Sequence, residues 1–167
     1  MTHKFWDSMK IGKQGEKKVD EFLNNKKNIR NVIDVSDNEE YMEKGIDFLI
    51  ETESGNKQGI EVKTDTYYSS GNFFLEYIAN TNKNKTGALL SSHAKWLFYY
   101  FIDGTLYIFK LSDLKKWIKK NKKKYKKVSS QNPTYKSLGL LVSREELIEE
   151  LNPSIYQIGG IQDDGVA

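Results

Sequence analysis

Residues 96–111, WLFYYFIDGTLYIFKL, admit little other than a β-hairpin. Asp103-Gly104 is a dipeptide suited to the positive φ of a tight hairpin turn, and the arms flanking it are rich in aromatic and β-branched residues. The run Trp96 to Phe101 alternates in the manner of core and sheet. A second hairpin is expected over 45–64, GIDFLIETESGNKQGIEVKT, turning at ESGNK, with short extended runs at 30–35 and 71–79. In the latter, alternation runs around Phe74, Glu76 and Ile78.

Helices are expected where the apolar period lengthens. Over 8–26, Gly12, Gly15, Val19, Phe22 and Leu23 share one face, Glu16 stands at its edge and the lysines lie opposite. ALLSSHAKW reads as a short helix on the sheet. SDLKKWIKKN opens on a serine cap, with Leu114, Trp117 and Ile118 at amphipathic spacing. SLGLLV reads as a strand, and SREELIEEL begins with a Ser143/Glu146 capping box. The expectation is one α/β (α+β) domain over 1–152, a mixed central β-sheet flanked by helices. Residues 153–167 read as a loose tail, and the chain shows neither repeat nor linker.

Composition narrows the chemistry. With 38% hydrophobic and 29% charged residues in 167, the chain is of globular kind. No apolar run approaches the ~20 residues of a membrane span, and the N-terminus lacks a signal-like apolar stretch, so a cytoplasmic setting is expected. The absence of cysteine excludes disulfides, thiolate metal sites and cysteine nucleophiles. With only His3 and His93 as imidazoles, a metal would be held by oxygen, which favours magnesium, manganese or calcium.

Charge is unevenly spread. Residues 115–127 hold nine lysines and no acid, within a chain of net charge +3, so the remainder is net negative. Lys119, Lys120, Lys122, Lys123, Lys124, Lys126 and Lys127 are candidates for phosphate contacts, as an alternative to a solvated helix end. Tyr67 and Tyr68 are candidate nucleic-acid contacts in the loop after Lys63. His93 reads as packed or solvent-facing, and Glu51 and Glu53 as hairpin-tip surface acids.

The candidate site is Asp47, Glu61 and Lys63, with Glu16 from the first helix. Side chains alternate along a strand, so Glu61 and Lys63 leave the same face. Asp47, at the start of the partner arm, brings a second carboxylate near one cation. Magnesium accepts a few carboxylates and keeps several waters. Lys63 beside it would hold a phosphate or orient a water made more acidic by the cation.

Asp47, thirteen residues, then Glu61-Val62-Lys63 resembles the signature of the PD-(D/E)XK nuclease superfamily, with Gly45 taken at the proline position. GKQGEKKVDEFL resembles that superfamily's first helix, where the glutamate is an auxiliary metal-site acid. The resemblance covers roughly residues 8–110 and implies a restriction-endonuclease-like core. It implies a magnesium-dependent DNA endonuclease, with manganese able to substitute, leaving 5′-phosphate and 3′-hydroxyl ends. Asp47, Glu61, the Val62 carbonyl and, through water, Glu16 are the implied metal set. Glu76 is the implied further acid at the rim, and Asp65 lies past the metal. A Holliday junction resolvase or another structure-specific nuclease fits the same order of residues. A non-catalytic nucleic-acid-binding module is the alternative of another class. Cutting two strands needs two sites, so a homodimer is expected.

Overall fold

A computed structural model describes residues 2–83, 85–131 and 136–162, with the side chains of 2–7, 85, 88, 130 and 131 left aside. Helix α1 (Thr2–Asn24) leads into β1 (Ile29–Asp34), a short α2 (Glu39–Glu43) and the hairpin of β2 (Phe48–Thr52) and β3 (Lys57–Asp65). A single 3-10 turn (Tyr68–Ser70) precedes β4 (Asn72–Asn80), β5 (Lys85–Thr86) and α3 (Ala88–Ser91). Then follow the hairpin of β6 (Trp96–Phe101) and β7 (Thr105–Lys110), and α4 (Leu111–Asn121). The chain ends with β8 (Lys127–Gln131), β9 (Lys136–Ser143), α5 (Arg144–Leu151) and β10 (Ser154–Gln157).

The architecture is α+β. Six strands form a mixed sheet in the order β1-β2-β3-β6-β7-β10, and a second, four-stranded sheet runs β5-β4-β9-β8. Neighbours in the large sheet are antiparallel except β3 and β6, which pair in parallel with Glu61 opposite Leu97 and Lys63 opposite Tyr99. A parallel pair needs a crossover, and here that crossover is β4, β5 and α3, which carry the start of the second sheet.

The two faces of the large sheet bury different clusters. On one face Phe48, Ile50, Ile60, Phe98, Tyr100 and Leu106 pack against Val19 and Leu23 of α1. On the other, Leu97, Tyr99, Phe101, Tyr107 and Phe109 meet Phe73, Leu75, Leu140 and Val142 of the second sheet and Leu111, Leu114 and Ile118 of α4. Strands covered on both sides must be apolar at consecutive positions, which is the pattern of WLFYYF. In β4 the buried residues are Phe73, Leu75 and Tyr77, so Phe74 and Glu76 belong to its other face.

Helix α1 sits close to β3 because Gly15 has no side chain. A Cβ there would lie 1.9 Å from Thr64 Oγ1. Gly12, whose added Cβ would meet nothing within 4 Å, has no such role.

Three local expectations are corrected. Residues 154–162 are not a loose tail: β10 pairs antiparallel with β7, and the Tyr100 hydroxyl donates to the Gly159 carbonyl at 2.7 Å; 163–167 lie outside the described residues. Ser112 does not cap α4. Its N-cap is Lys110, without a side-chain bond, and buried Leu111 donates its N–H to the Lys95 carbonyl at 2.9 Å. Ser143 is the N-cap of α5 but makes no capping hydrogen bond, and the Glu146 carboxylate accepts from the Tyr125 hydroxyl instead. The lysine run leaves α4 through the turn of residues 122–126 and then enters a strand, β8, at Lys127; Pro133 lies outside the described residues.

Candidate active site

Asp47 stands one residue before β2, and every one of its backbone and side-chain bonds fastens it to the neighbouring chain. Its N–H donates to the Ile60 carbonyl at 2.8 Å, and its carbonyl accepts from the Val35 N–H at 2.9 Å. Its Oδ2 accepts the Val62 N–H at 2.7 Å. Val62 thus anchors the Asp47 carboxylate through its amide N–H. The motif's proline slot needs correction too. Ile46, not Gly45, directly precedes Asp47, and its side chain is buried. Gly45 has φ 65°, a value the proline ring forbids. An added Cβ there would also press on Ser92 at 3.1 Å.

Glu61 is half-buried as a residue, but its carboxylate Oε2 is closed off from solvent and has no hydrogen-bond partner. Burial pushes its carboxyl up to about 7. Asp47 adds in the same direction, while Ser92, Lys63 and Lys115 oppose. The Ser92 hydroxyl has one proton, which is directed at the Gly45 carbonyl at 2.8 Å. Its oxygen also accepts the Ala94 N–H at 3.1 Å. Lys115 reaches over from α4, its Nζ donating to the Ser92 carbonyl.

Glu16 lies on the α1 side of Asp47, half-buried, with Lys13 Nζ 3.4 Å from its Oε2. Burial raises its pKa, and so does the negative charge of Asp47. Asp47 is raised by burial, against the lowering effect of the Val62 N–H and Lys13, with Asp34 adding to the rise. The acids therefore form a chain, Glu16 to Asp47 to Glu61, with Asp34 behind. Among the described residues no three acidic or histidine side chains converge as a ready metal cage. Asp47 and Glu61 nevertheless fit a hard divalent cation as a pair. Two like charges are held close, one enclosed oxygen lacks a donor, and magnesium takes water for its remaining positions.

Lys63 leaves the same face of β3 as Glu61, and its ammonium rests 5.0 Å from the centre of the Phe74 ring. It opens onto a cleft of about 590 Å³ between the two sheets, which Glu76, Phe74, Tyr67, Thr64 and Asp65 also line. Glu76, expected at the rim of the acid site, lines this cleft together with Lys63, whereas Asp47, Glu61 and Glu16 are not among its walls. Tyr67 and Tyr68 are exposed, at 75% and 45%. Asp65 is buried and structural, accepting the Tyr99 hydroxyl at 2.5 Å and the Tyr67 N–H at 2.7 Å.

Lys119, Lys120, Lys123, Lys124, Lys126 and Lys127 are exposed and Lys122 half-buried, on the outer side of α4 and the turn after it. His93 is exposed.

Three participants carry no signal in the sequence: Ser92 and Lys115 beside Glu61, and Asp34 behind Asp47. Lys115 is one of nine similar lysines, and only the packing of α4 separates it from the others. Lys13 is one of the lysines expected opposite the apolar face of α1, and its Nζ reaches Glu16 and lies 3.1 Å from Asp37 Oδ1. Its position three residues before Glu16 was the available clue. No protein-family model, no curated protein and no solved structure matches this chain.

Proposed function

We propose that this chain is a magnesium-dependent nuclease that hydrolyses phosphodiester bonds in DNA, with the chemistry of the PD-(D/E)XK superfamily its motif resembles. The observation that carries the reading is the enclosed, partnerless Glu61 oxygen beside Asp47, with Lys63 two residues along the same strand face. A carboxylate pair raised toward neutrality with an orphan oxygen is an unfavourable arrangement for a purely structural site.

Asp47 and Glu61 would hold the cation, with the Val62 carbonyl and, through water, Glu16 as further donors. The cation would supply positive charge to a phosphate and acidify water. Lys63 turns its ammonium to a phosphate oxygen, where negative charge grows in the transition state. Lys13 limits repulsion between Glu16 and its neighbours, and Lys63 and Lys115 offset part of the charge of Glu61. The lysines of 115–127 and exposed Tyr67 and Tyr68 hold the nucleic acid. Products would carry 5′-phosphate and 3′-hydroxyl ends. A homodimer acting in the cytoplasm would supply two sites for two strands. Among the described residues no helix is long and apolar enough to cross a membrane.

The test is a panel of plasmid, linear duplex, single strand, flap and four-way junction, incubated with the pure protein in magnesium or in chelator. Magnesium-dependent cutting is expected, and intact DNA throughout would overturn the reading. Binding without cutting would leave the non-catalytic module, for which the lysine run and exposed tyrosines speak.

A further inference from the structure

A cleft lies not at the carboxylates but beside Lys63, lined by residues of β3 and β4 and the loop between them. Its volume, about 590 Å³, is in the range of sites that enclose one small planar ligand. One wall is β4, which presents Phe74 and Glu76, and another is the loop after β3, which carries Tyr67. Phe74 pairs with Leu141 on β9, and its ring leans over Gly139, the partner of Glu76: a Cβ on Gly139 would come within 2.4 Å of Phe74 Cε2. That vacancy admits the ring, which offers an aromatic face to the cleft, and the Lys63 ammonium covers it. Of the two carboxylates in the walls, Asp65 is committed to Tyr99 and the Tyr67 N–H. Glu76, on the open face of β4, offers an acceptor of the kind that exocyclic amino groups donate to.

Aromatic faces beside an acceptor, adjoining the one lysine proposed to meet the phosphate, match a nucleobase taken out of its stack. From this, and resting on the nuclease reading above, we infer that the cleft receives one unpaired nucleobase next to the scissile phosphate. The substrate class is then DNA with an unpaired nucleotide, single-stranded or bulged, rather than continuous duplex. The base takes the Phe74 face and is flanked by Tyr67. Lys63, displaced from the ring, becomes available to the phosphate, so base capture and charge stabilisation are coupled through one side chain.

The inference is tested by binding in chelator, where no DNA is cut. The probes are three oligonucleotides of one sequence containing 2-aminopurine: a single strand, a duplex with that base bulged, and a fully paired duplex. The wild-type chain is expected to bind the first two about tenfold more tightly than the paired duplex. Their 2-aminopurine fluorescence is expected to be quenched by stacking. Phe74→Ala should erase the preference and Phe74→Tyr should keep it. Tyr67→Ala, at a side chain too exposed to threaten folding, should weaken it several-fold, and it carries the test if Phe74→Ala does not fold. Equal affinity for all three probes, or a preference untouched in Tyr67→Ala and in folded Phe74→Ala, overturns the pocket. Magnesium-dependent cutting would in that case still stand. Failure to bind any probe overturns both the pocket and the nuclease reading.

Discussion

The carboxylate of Asp47 accepts the backbone N–H of Val62 at 2.7 Å, the residue between Glu61 and Lys63. One hydrogen bond therefore fixes the spacing of both acids and the lysine, and it separates two effects of mutation. Asp47→Ala removes a negative charge beside Glu61, which is favourable without metal, but strands the Val62 N–H at a cost of about 1–3 kcal/mol. Asp47→Asn removes the charge and keeps an acceptor. Both variants should lose cleavage. In chelator, calorimetry should show Asp47→Asn melting at or above the wild-type temperature and Asp47→Ala below it. Equal melting of the two would deny the hydrogen bond its role.

Glu61 makes stability depend on pH. Its carboxyl moves from an ordinary 4.5 to about 7 on folding. Below 4.5 it is protonated in both states and exerts no penalty. As pH rises from there to about 7, the unfolded chain releases the proton and the folded chain retains it, so stability falls by about 3 kcal/mol in all. Glu16 and Asp47, also raised, act with the same sign. The metal-free protein should melt at a higher temperature near pH 5 than near pH 8. Magnesium should restore stability at the higher pH, and Glu61→Gln should flatten the slope. A melting temperature that rises across this window in wild type would contradict the assignment.

Lys63 has the Phe74 ring as its named contact, and a partly exposed cation–π pair contributes about 0.5–1 kcal/mol. Lys63→Met should thus fold and bind magnesium normally. If the ammonium stabilises charge on the phosphate, single-turnover cleavage should slow by about 10²–10³. A rate within a few-fold of wild type would sink the catalytic reading of Lys63.

Lys123 and Lys124 are exposed and Lys122 half-buried beside them, well placed for counterion release. Changing all three to glutamine should flatten the slope of log affinity against log salt by up to about 3, at about 0.9 per duplex contact. Affinity should fall alike for all sequences. An unchanged slope would make this run a solvated helix end.

Gly15→Ala pushes a methyl group against Thr64 Oγ1, and overpacking of this kind costs about 1–3 kcal/mol. Because Glu16 is the next residue, cleavage should fall along with the melting temperature. Thr64→Ala in the same chain should recover most of both losses, as a double-mutant cycle would show. If Gly15→Ala is silent in stability, the helix does not sit as close to β3 as described.

What could be read from the chain alone is what acts over short range. The Asp103-Gly104 turn and the aromatic arms around it were sufficient for the β6–β7 hairpin, and the ESGNK turn was sufficient for the β2–β3 hairpin, which sets Phe48 opposite Ile60. Glu16 was legible as an acid at the margin of an apolar helix face. Capping at Ser112 and Ser143 was misread because tertiary partners prevailed over local ones: buried Leu111 sets the start of α4, and Tyr125 takes Glu146. The strand β10 was missed because its residues are exposed, and it forms through its ladder with β7 and the packing of Tyr156 on Phe22. Ser92 and Lys115 were invisible for a related reason. They come to Glu61 from α3's end and from α4, tens of residues away in the chain, and one lysine among nine has no local mark. Periodicity and turn chemistry fix hydrogen bonding between near neighbours, whereas the surroundings of a buried carboxylate depend on which distant elements the core brings against it.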